Sequence, residues 1–323
     1  MARSSRAAFR SLGGKLARRI ARRRGFELVR VDEHDLIPKG AYDLFPKGEY
    51  DVVRRDYYSP VPNLELLPDD IWDRRSKLGG VDLRVEAGIE LIENELAEYV
   101  REFDVSLEGP ASPGKFVLRN GNYESVDAEL LYAMLRARKP RLVMELGSGF
   151  TTLLIGKAAR RNASEGAETR HLAYDPFPRA QILGEAPPPP TRFEPISATD
   201  VPLDAFAQLS AGDILFVDTT HTVKLGSDVN YLVLDVLPTL APGVIVHFHD
   251  IFLPWEYPRQ WFEEMQYYWA EQYLLQAFLA YNNEFEVLIP AAAVAKELPD
   301  RLAAAVPSFS PGNRPGAIWL QRR

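Results

Sequence analysis

From Arg141 onward, short runs of apolar residues alternate with longer amphipathic stretches, and no other feature of the sequence limits the fold as much. A run that is apolar at every position must be buried on both faces. That is the situation of a strand inside a parallel sheet, and the stretches between such runs supply the crossover helices. The spacing predicts strands at 142–146, 171–174, 193–196, 213–217, 243–248, 285–289 and 317–321. Helices are expected at 151–160, at 228–240 and, as one long aromatic-rich element, at 258–281. The expected fold class is α/β, a doubly wound, Rossmann-like seven-stranded sheet with helices on both faces, preceded by a mostly helical or irregular N-terminal extension.

Three segments are expected: a basic tail over 1–30, an extension over 31–120 that packs on the core, and the sheet domain over 121–323. Residues 42–67 have neither helical nor strand periodicity, yet carry too many aromatics for a free linker, so they should wrap onto a folded body. Val85, Ile89, Ile92, Leu96, Val100 and Phe103 form the apolar stripe of a helix over 82–103. Ser125 is placed to cap a helix that runs to Arg138, with Asp127 and Glu129 in its first turn. The proline tract Pro187–Pro190 reads as an exposed, stiff spacer.

Charge narrows the partners. Residues 1–24 hold nine Lys or Arg and no acid, although the chain as a whole carries −7. The acidic total argues against nucleic acid as a partner. Leu12, Leu16 and Ile20 recur among the basic residues, so the tail reads either as a short amphipathic helix touching anionic membrane or as a solvated basic terminus. It lacks the apolar run of a secretory signal, and no stretch reaches the roughly 20 apolar residues of a membrane span, so a cytoplasmic protein is expected. With no cysteine, disulfides, thiolate metal sites and cysteine nucleophiles are ruled out.

Ligands of doubly wound sheets bind beyond the carboxyl ends of the strands, where strand order reverses. After the first predicted strand comes Glu145-Leu-Gly147-Ser148-Gly149-Phe-Thr151-Thr152, a turn in which small residues let the backbone approach a ligand at a helix N-terminus. A dinucleotide fingerprint needs glycine where Thr152 stands. Glu145, an acid inside a strand end, can accept from a ligand ammonium, and Asp175, after the second strand, can accept from ribose hydroxyls. Asp218 and His221 follow the fourth strand, and His247, His249 and Asp250 end the fifth, so the two groups should converge. His221 is the first candidate for a proton acceptor and His249 the second, because imidazole titrates near neutral pH; His247, on the same face of the strand as His249, reads as a hydrogen-bonded core histidine. Trp255, Trp261, Tyr267, Tyr268, Trp269 and Tyr273, with Glu256 and Glu271 as polar anchors, either wall an acceptor pocket or belong to the core.

Taken in order, these motifs resemble the class I S-adenosylmethionine-dependent methyltransferases, in particular a bacterial group with an E-L-G-S-G-[FY]-[ST]-T first motif. The resemblance includes Tyr57–Pro62, Asn122–Asp127, Asp213–His221, Gly226–Tyr231 and Pro242–Asp250. It implies S-adenosyl-L-methionine as cofactor, with Gly147, Ser148 and Gly149 along its methionine and ribose, Glu145 at its amino group and Thr151 near its carboxylate. Asp175 would take the ribose and Asp200 the adenine amino group, with Asp218 on the same cleft; a branched side chain at Gly147 is expected to fill the cofactor's space. Thr151 replaces the third glycine common in the superfamily, a change that catechol-type relatives share in kind. Those relatives also hold Mg2+, which would place the ion on Asp218 and Asp250 here, although Ile251 stands where they have an Asn ligand. The implied reaction is methylation of a small-molecule or saccharide hydroxyl by in-line transfer, with His221, His249 and Asp250 as catalytic groups. Two other classes stay open: a Rossmann enzyme using another nucleotide cofactor, and a non-catalytic cofactor-binding module tethered through its basic N-terminus.

Overall fold

The structure, a computed structural model, describes residues 26–30, 50–54, 58–109, 112–184 and 189–323. The expectations for the basic tail before Phe26, for most of 31–57, and for Pro187 and Pro188 lie outside these residues. Two compact units emerge. One comprises the chain up to Trp72 together with Pro258–Tyr268; the other comprises Asp73–Tyr257 and Trp269–Arg323.

In the smaller unit, β1 (Phe26–Arg30) and β2 (Tyr50–Arg54) pair antiparallel, where the sequence suggested only helical or irregular chain. Trp72 and Phe262 pack there with ring centroids 5.6 Å apart.

The larger unit is built on the expected sheet. Its strands are β3 (Leu142–Leu146), β4 (Arg170–Tyr174), β5 (Thr191–Glu194), β6 (Ile214–Val217), β7 (Ile245–Phe248), β8 (Phe285–Pro290) and β9 (Ile318–Arg322). They lie in the order β5-β4-β3-β6-β7-β9-β8. The first five are parallel, and β9 runs antiparallel to both of its neighbours. Strand order reverses between β3 and β6, so the crevice opens beyond Leu146 and Val217.

Side chains alternate between two cores. Leu142, Met144 and Leu146 face a cluster with Val229, Leu232 and Val236, whereas Val143 faces one with Leu130, Leu154 and Trp319. This is how helices cover both faces. A fully buried leucine such as Leu154 contributes about 2–3 kcal/mol.

Two local expectations are corrected. Ser125 does not cap the Asp127–Arg138 helix; its hydroxyl pairs with Ser308 Oγ at 2.6 Å. The cap comes from the other direction, since Glu129 reaches back to accept the Val126 N–H at 2.7 Å, with Val126 at a φ of 75°. The long helix over 258–281 is broken: one wide turn, Trp261–Met265, ends at Gln266 with a φ of 61°, and a new helix, Glu271–Leu279, starts later. The new start is set by tertiary contacts, because the N–H groups of Ala270 and Glu271 both donate to the His221 carbonyl. Two further helices, Ala291–Glu297 and Pro299–Ala305, occupy the connection between β8 and β9. The stripe over 82–103 does form helix, as Val85–Leu91 and Ala97–Glu102 joined by a π turn at Ile92–Leu96.

Arg136, almost wholly buried, ties this layer together. Its guanidinium donates to Glu102 at 2.7 and 3.0 Å, to Glu165 at 2.6 Å, and to Asn162. No helix among the described residues is long and apolar enough to cross a membrane.

Candidate functional site

The turn after β3 is held from below. Glu145 is fully buried and accepts from Thr151 Oγ1 at 2.6 Å and from Thr152 Oγ1 at 2.8 Å, with His171 Nε2 at 3.0 Å. The acid expected at a ligand's amino group, directly or through a short network, is tied to the turn by Thr151 and Thr152. Thr152 also accepts the Gly149 N–H at 3.0 Å. Its hydroxyl thus sits where a dinucleotide fingerprint needs a glycine, and it is committed to the turn. His171 escaped notice in the sequence. The signal was the strand register: His171 opposite Val143 lies on the same face as Glu145.

The two glycines do different jobs. Gly147 has a φ of 88°, and a Cβ there would lie 1.8 Å from the Asp218 carbonyl oxygen. It is required by the close approach of two chain segments, which corrects the expectation that a side chain at this position would fill cofactor space. Gly149 is buried, yet a Cβ there would meet nothing within 4 Å. Burial without a neighbour describes a hollow. Asp175 borders it, with one oxygen accepting from the Ser148 N–H and hydroxyl at 2.9 and 2.7 Å and the other from the Phe177 N–H at 2.7 Å. The oxygen that faces Phe177 accepts only once and has a second lone pair, so the half-buried Asp175 keeps capacity for a ribose hydroxyl. Asp200 ends the short turn Ala198–Asp200 beyond β5, with its side chain exposed.

Beyond β6 and β7 the predicted residues converge. His221 Nε2 lies 3.2 Å from Asp218 Oδ1 and 3.7 Å from Asp250 Oδ2. His249 Nδ1 lies 3.6 and 3.5 Å from the same two oxygens. His221 and Asp250 have φ of 56° and 59°, left-handed conformations that non-glycine residues hold at a cost of order 1–3 kcal/mol. The far nitrogens also face acids: His221 Nδ1 is 2.8 Å from Glu271 Oε2, and His249 Nε2 is 3.5 Å from Asp127 Oδ2.

An ionised carboxylate accepts and cannot donate, so an imidazole held between two ionised carboxylates carries both of its protons. Burial pushes His221 down, but hydrogen bonds to Asp218 and Glu271 outweigh burial and hold its pKa at about 10. His249 is likewise raised against burial by Asp250 and Asp218. The surrounding acids favour the protonated ring at both residues, which counts against the reading of either as a base that titrates near neutral pH. Burial raises Asp250 and Glu271, whereas His249 and His221 override burial at Asp218 and keep it ionised. Four carboxyl groups, those of Asp127, Asp218, Asp250 and Glu271, thus surround the two imidazoles.

His247 departs from this group. It is fully buried, stacks on Phe216 at 4.2 Å, pairs with the Tyr123 hydroxyl at 3.1 Å, and burial pushes its pKa down. It is a core histidine. Glu271 was expected as an anchor for an acceptor, and the structure turns it inward onto His221. Trp269 covers that imidazole with ring centroids 4.3 Å apart, and Tyr257 packs on Trp269 and Tyr273. Trp261, Tyr267 and Tyr268 belong to the other unit, apart from Trp255, Trp269 and Tyr273.

One donor atom from each of Asp218, His221 and Asp250 lies within 4.8 Å of the others, a spacing that a cation could bridge. The set does not suit Mg2+, which takes oxygen ligands, and the buried apolar Ile251 offers no side-chain oxygen.

Residues 144–251 match the model of a family described as "Methyltransferase domain", a span running from β3 through Asp250. The match supports a methyltransferase domain in that span. No curated protein matches the chain significantly. Among solved structures, the chain is similar to a protein from Listeria monocytogenes described as an S-adenosylmethionine-dependent methyltransferase, at 14% identity and a TM-score of 0.31, covering 60% of this chain and 95% of that one. It is also similar to a protein from Thermobifida fusca YX described as a methyltransferase, at 14% identity and a TM-score of 0.32, covering 76% and 96%. Likenesses this loose carry no argument, and the fold rests on the sheet itself.

Proposed function

We propose that the chain is a class I S-adenosylmethionine-dependent methyltransferase that methylates a hydroxyl of a small molecule or saccharide. The hollow beside Gly149 carries the reading. It lies at the switch point of the sheet, is bordered by Asp175, and is backed by a turn that packs on Asp218. A sulfonium-bearing nucleoside suits such a place because carboxyl groups outnumber imidazoles around the Asp218–Asp250 cleft. The family match over 144–251 agrees with this.

In the transfer, a lone pair on the acceptor oxygen bonds to the methyl carbon while the carbon–sulfur bond breaks and its electron pair goes to sulfur. The cofactor would supply the methyl group and leave as a neutral thioether, and the acceptor's proton would pass to the Asp250 carboxylate, which burial makes the more basic of the two aspartates in the cluster. This chain contributes alignment, charge and a proton sink, and needs no further reagent.

Calorimetric titration with S-adenosylhomocysteine tests the cofactor half, and binding is expected. No heat, together with an unmoved melting temperature, would remove the proposal. A scan of sugar and phenol acceptors with labelled methyl donor then tests the acceptor half.

A further inference from the structure

The segment Asn122–Asp127 precedes the sheet, and nothing in the transfer described above uses it. Two of its side chains nevertheless reach the imidazoles beyond β7. The Tyr123 ring lies 4.7 Å from the His249 ring, and Asp127 Oδ2 lies 3.5 Å from His249 Nε2. Asp127 is itself immobilised, accepting the backbone N–H groups of Gly316 and Ala317 at 2.8 and 3.1 Å just before β9. It is 4% exposed, so the carboxylate has no water to exchange for these partners. On the other side of the cleft Glu271 stands behind His221 in the same way. Each imidazole thus has a buried acid on its far nitrogen and points its near nitrogen at Asp218 and Asp250.

We infer that Asp127 is a positioning residue of this centre, acting through His249: it holds the proton on Nε2 and fixes the ring so that Nδ1 faces Asp218 and Asp250. A carboxylate can do this only if the ring nitrogen facing it is a donor. A buried, backbone-anchored acid behind an imidazole also sets ring orientation, as second-sphere carboxylates commonly do. This deepens the proposed function and rests on it for the identity of the reaction, but the contact is a property of the protein alone. The alternative roles on view for Asp127 are as an acid in the first turn of the Asp127–Arg138 helix and as the link from that helix to the Gly316–Ala317 turn. Those roles predict nothing about His249.

With five histidines in the chain, long-range proton–nitrogen correlation spectra of the full-length protein labelled with 15N-histidine can resolve each ring. In the wild type, His249 Nε2 should carry a proton protected from exchange with water. In Asp127→Asn the His249 ring nitrogens should shift while those of His221 stay in place, and affinity for S-adenosylhomocysteine should change by less than threefold. An unprotonated His249 Nε2 in the wild type overturns the inference without any variant, so a variant that fails to fold does not shelter it. Unchanged His249 nitrogens in a folded Asp127→Asn protein overturn it equally. A wild type that shows the expected ring signature and does not bind S-adenosylhomocysteine would sink the methyltransferase reading alone.

Discussion

Replacing Gly149 with valine separates the pocket from the fold. The backbone at 149 is extended, with a φ of 168°, so a side chain brings no left-handed strain, and its Cβ would enter space with nothing within 4 Å. The unliganded variant should therefore melt within about 2 °C of wild type, because substitutions that touch nothing stay within about 0.5 kcal/mol, and about 1 kcal/mol moves a domain of this size by roughly 2–4 °C. For wild type, S-adenosylhomocysteine at a hundred times its Kd should stabilise the native state by about 2.7 kcal/mol, a rise of roughly 5–10 °C. Three added carbons in the hollow should weaken binding at least a hundredfold. At the same ligand concentration the variant would then gain only about 0.4 kcal/mol, or roughly 1 °C. Thermal melts of both proteins with and without ligand give all four numbers. A variant that keeps the full ligand-induced rise would refute the assignment of the hollow to the cofactor. One that melts far below wild type without ligand would refute the claim that the space is empty.

Gly147→Ala should behave in the opposite way, costing about 3 kcal/mol or more because its Cβ collides with the Asp218 carbonyl; urea unfolding without ligand checks this. Arg136→Met should cost about 2–3 kcal/mol by stranding the carboxylates of Glu102 and Glu165, read from the same assay. The arginine holds Glu102 below its ordinary range, and Arg136 with Lys139 holds Glu165 at about 2. Both folded values lie below the unfolded ones, so this stabilisation is complete above roughly pH 4.5 and is lost as pH falls towards 2; the urea midpoint of the variant should depend less on pH across that window. Chelator should leave the S-adenosylhomocysteine shift in melting temperature unchanged, and its disappearance in chelator would reinstate a metal.

The sheet was legible because buried parallel strands write themselves as unbroken apolar runs, such as Leu142–Leu146 and Ile214–Val217. The convergence of Asp218, His221, His249 and Asp250 was legible for the same reason, since adjacent strand ends bring their following residues together. What stayed hidden depends on contacts far apart in sequence. Asp127 looked like a helix-start acid until Gly316 and His249 were seen around it. Glu271 looked like a surface anchor because the break at Gln266 was not legible as the end of a helix. The raised pKa of His221 follows from Asp218 and Glu271 together, and the Glu271 contact was not legible in the sequence. Gly147 and Gly149 look alike in the motif, and only the path of the Asp218 backbone tells them apart.

The placement of β9 between β7 and β8 sets an order of assembly. While the chain is being synthesised, β7 keeps one bare edge, and β8 has no neighbour in the sheet until residues 318–322 emerge. The Gly316 and Ala317 amides that grip Asp127 arrive at the same moment. A nascent chain stalled short of this point would already present the hollow beside Gly149 while lacking the clamp behind His249, so the capacity to bind cofactor should mature before the capacity to turn it over.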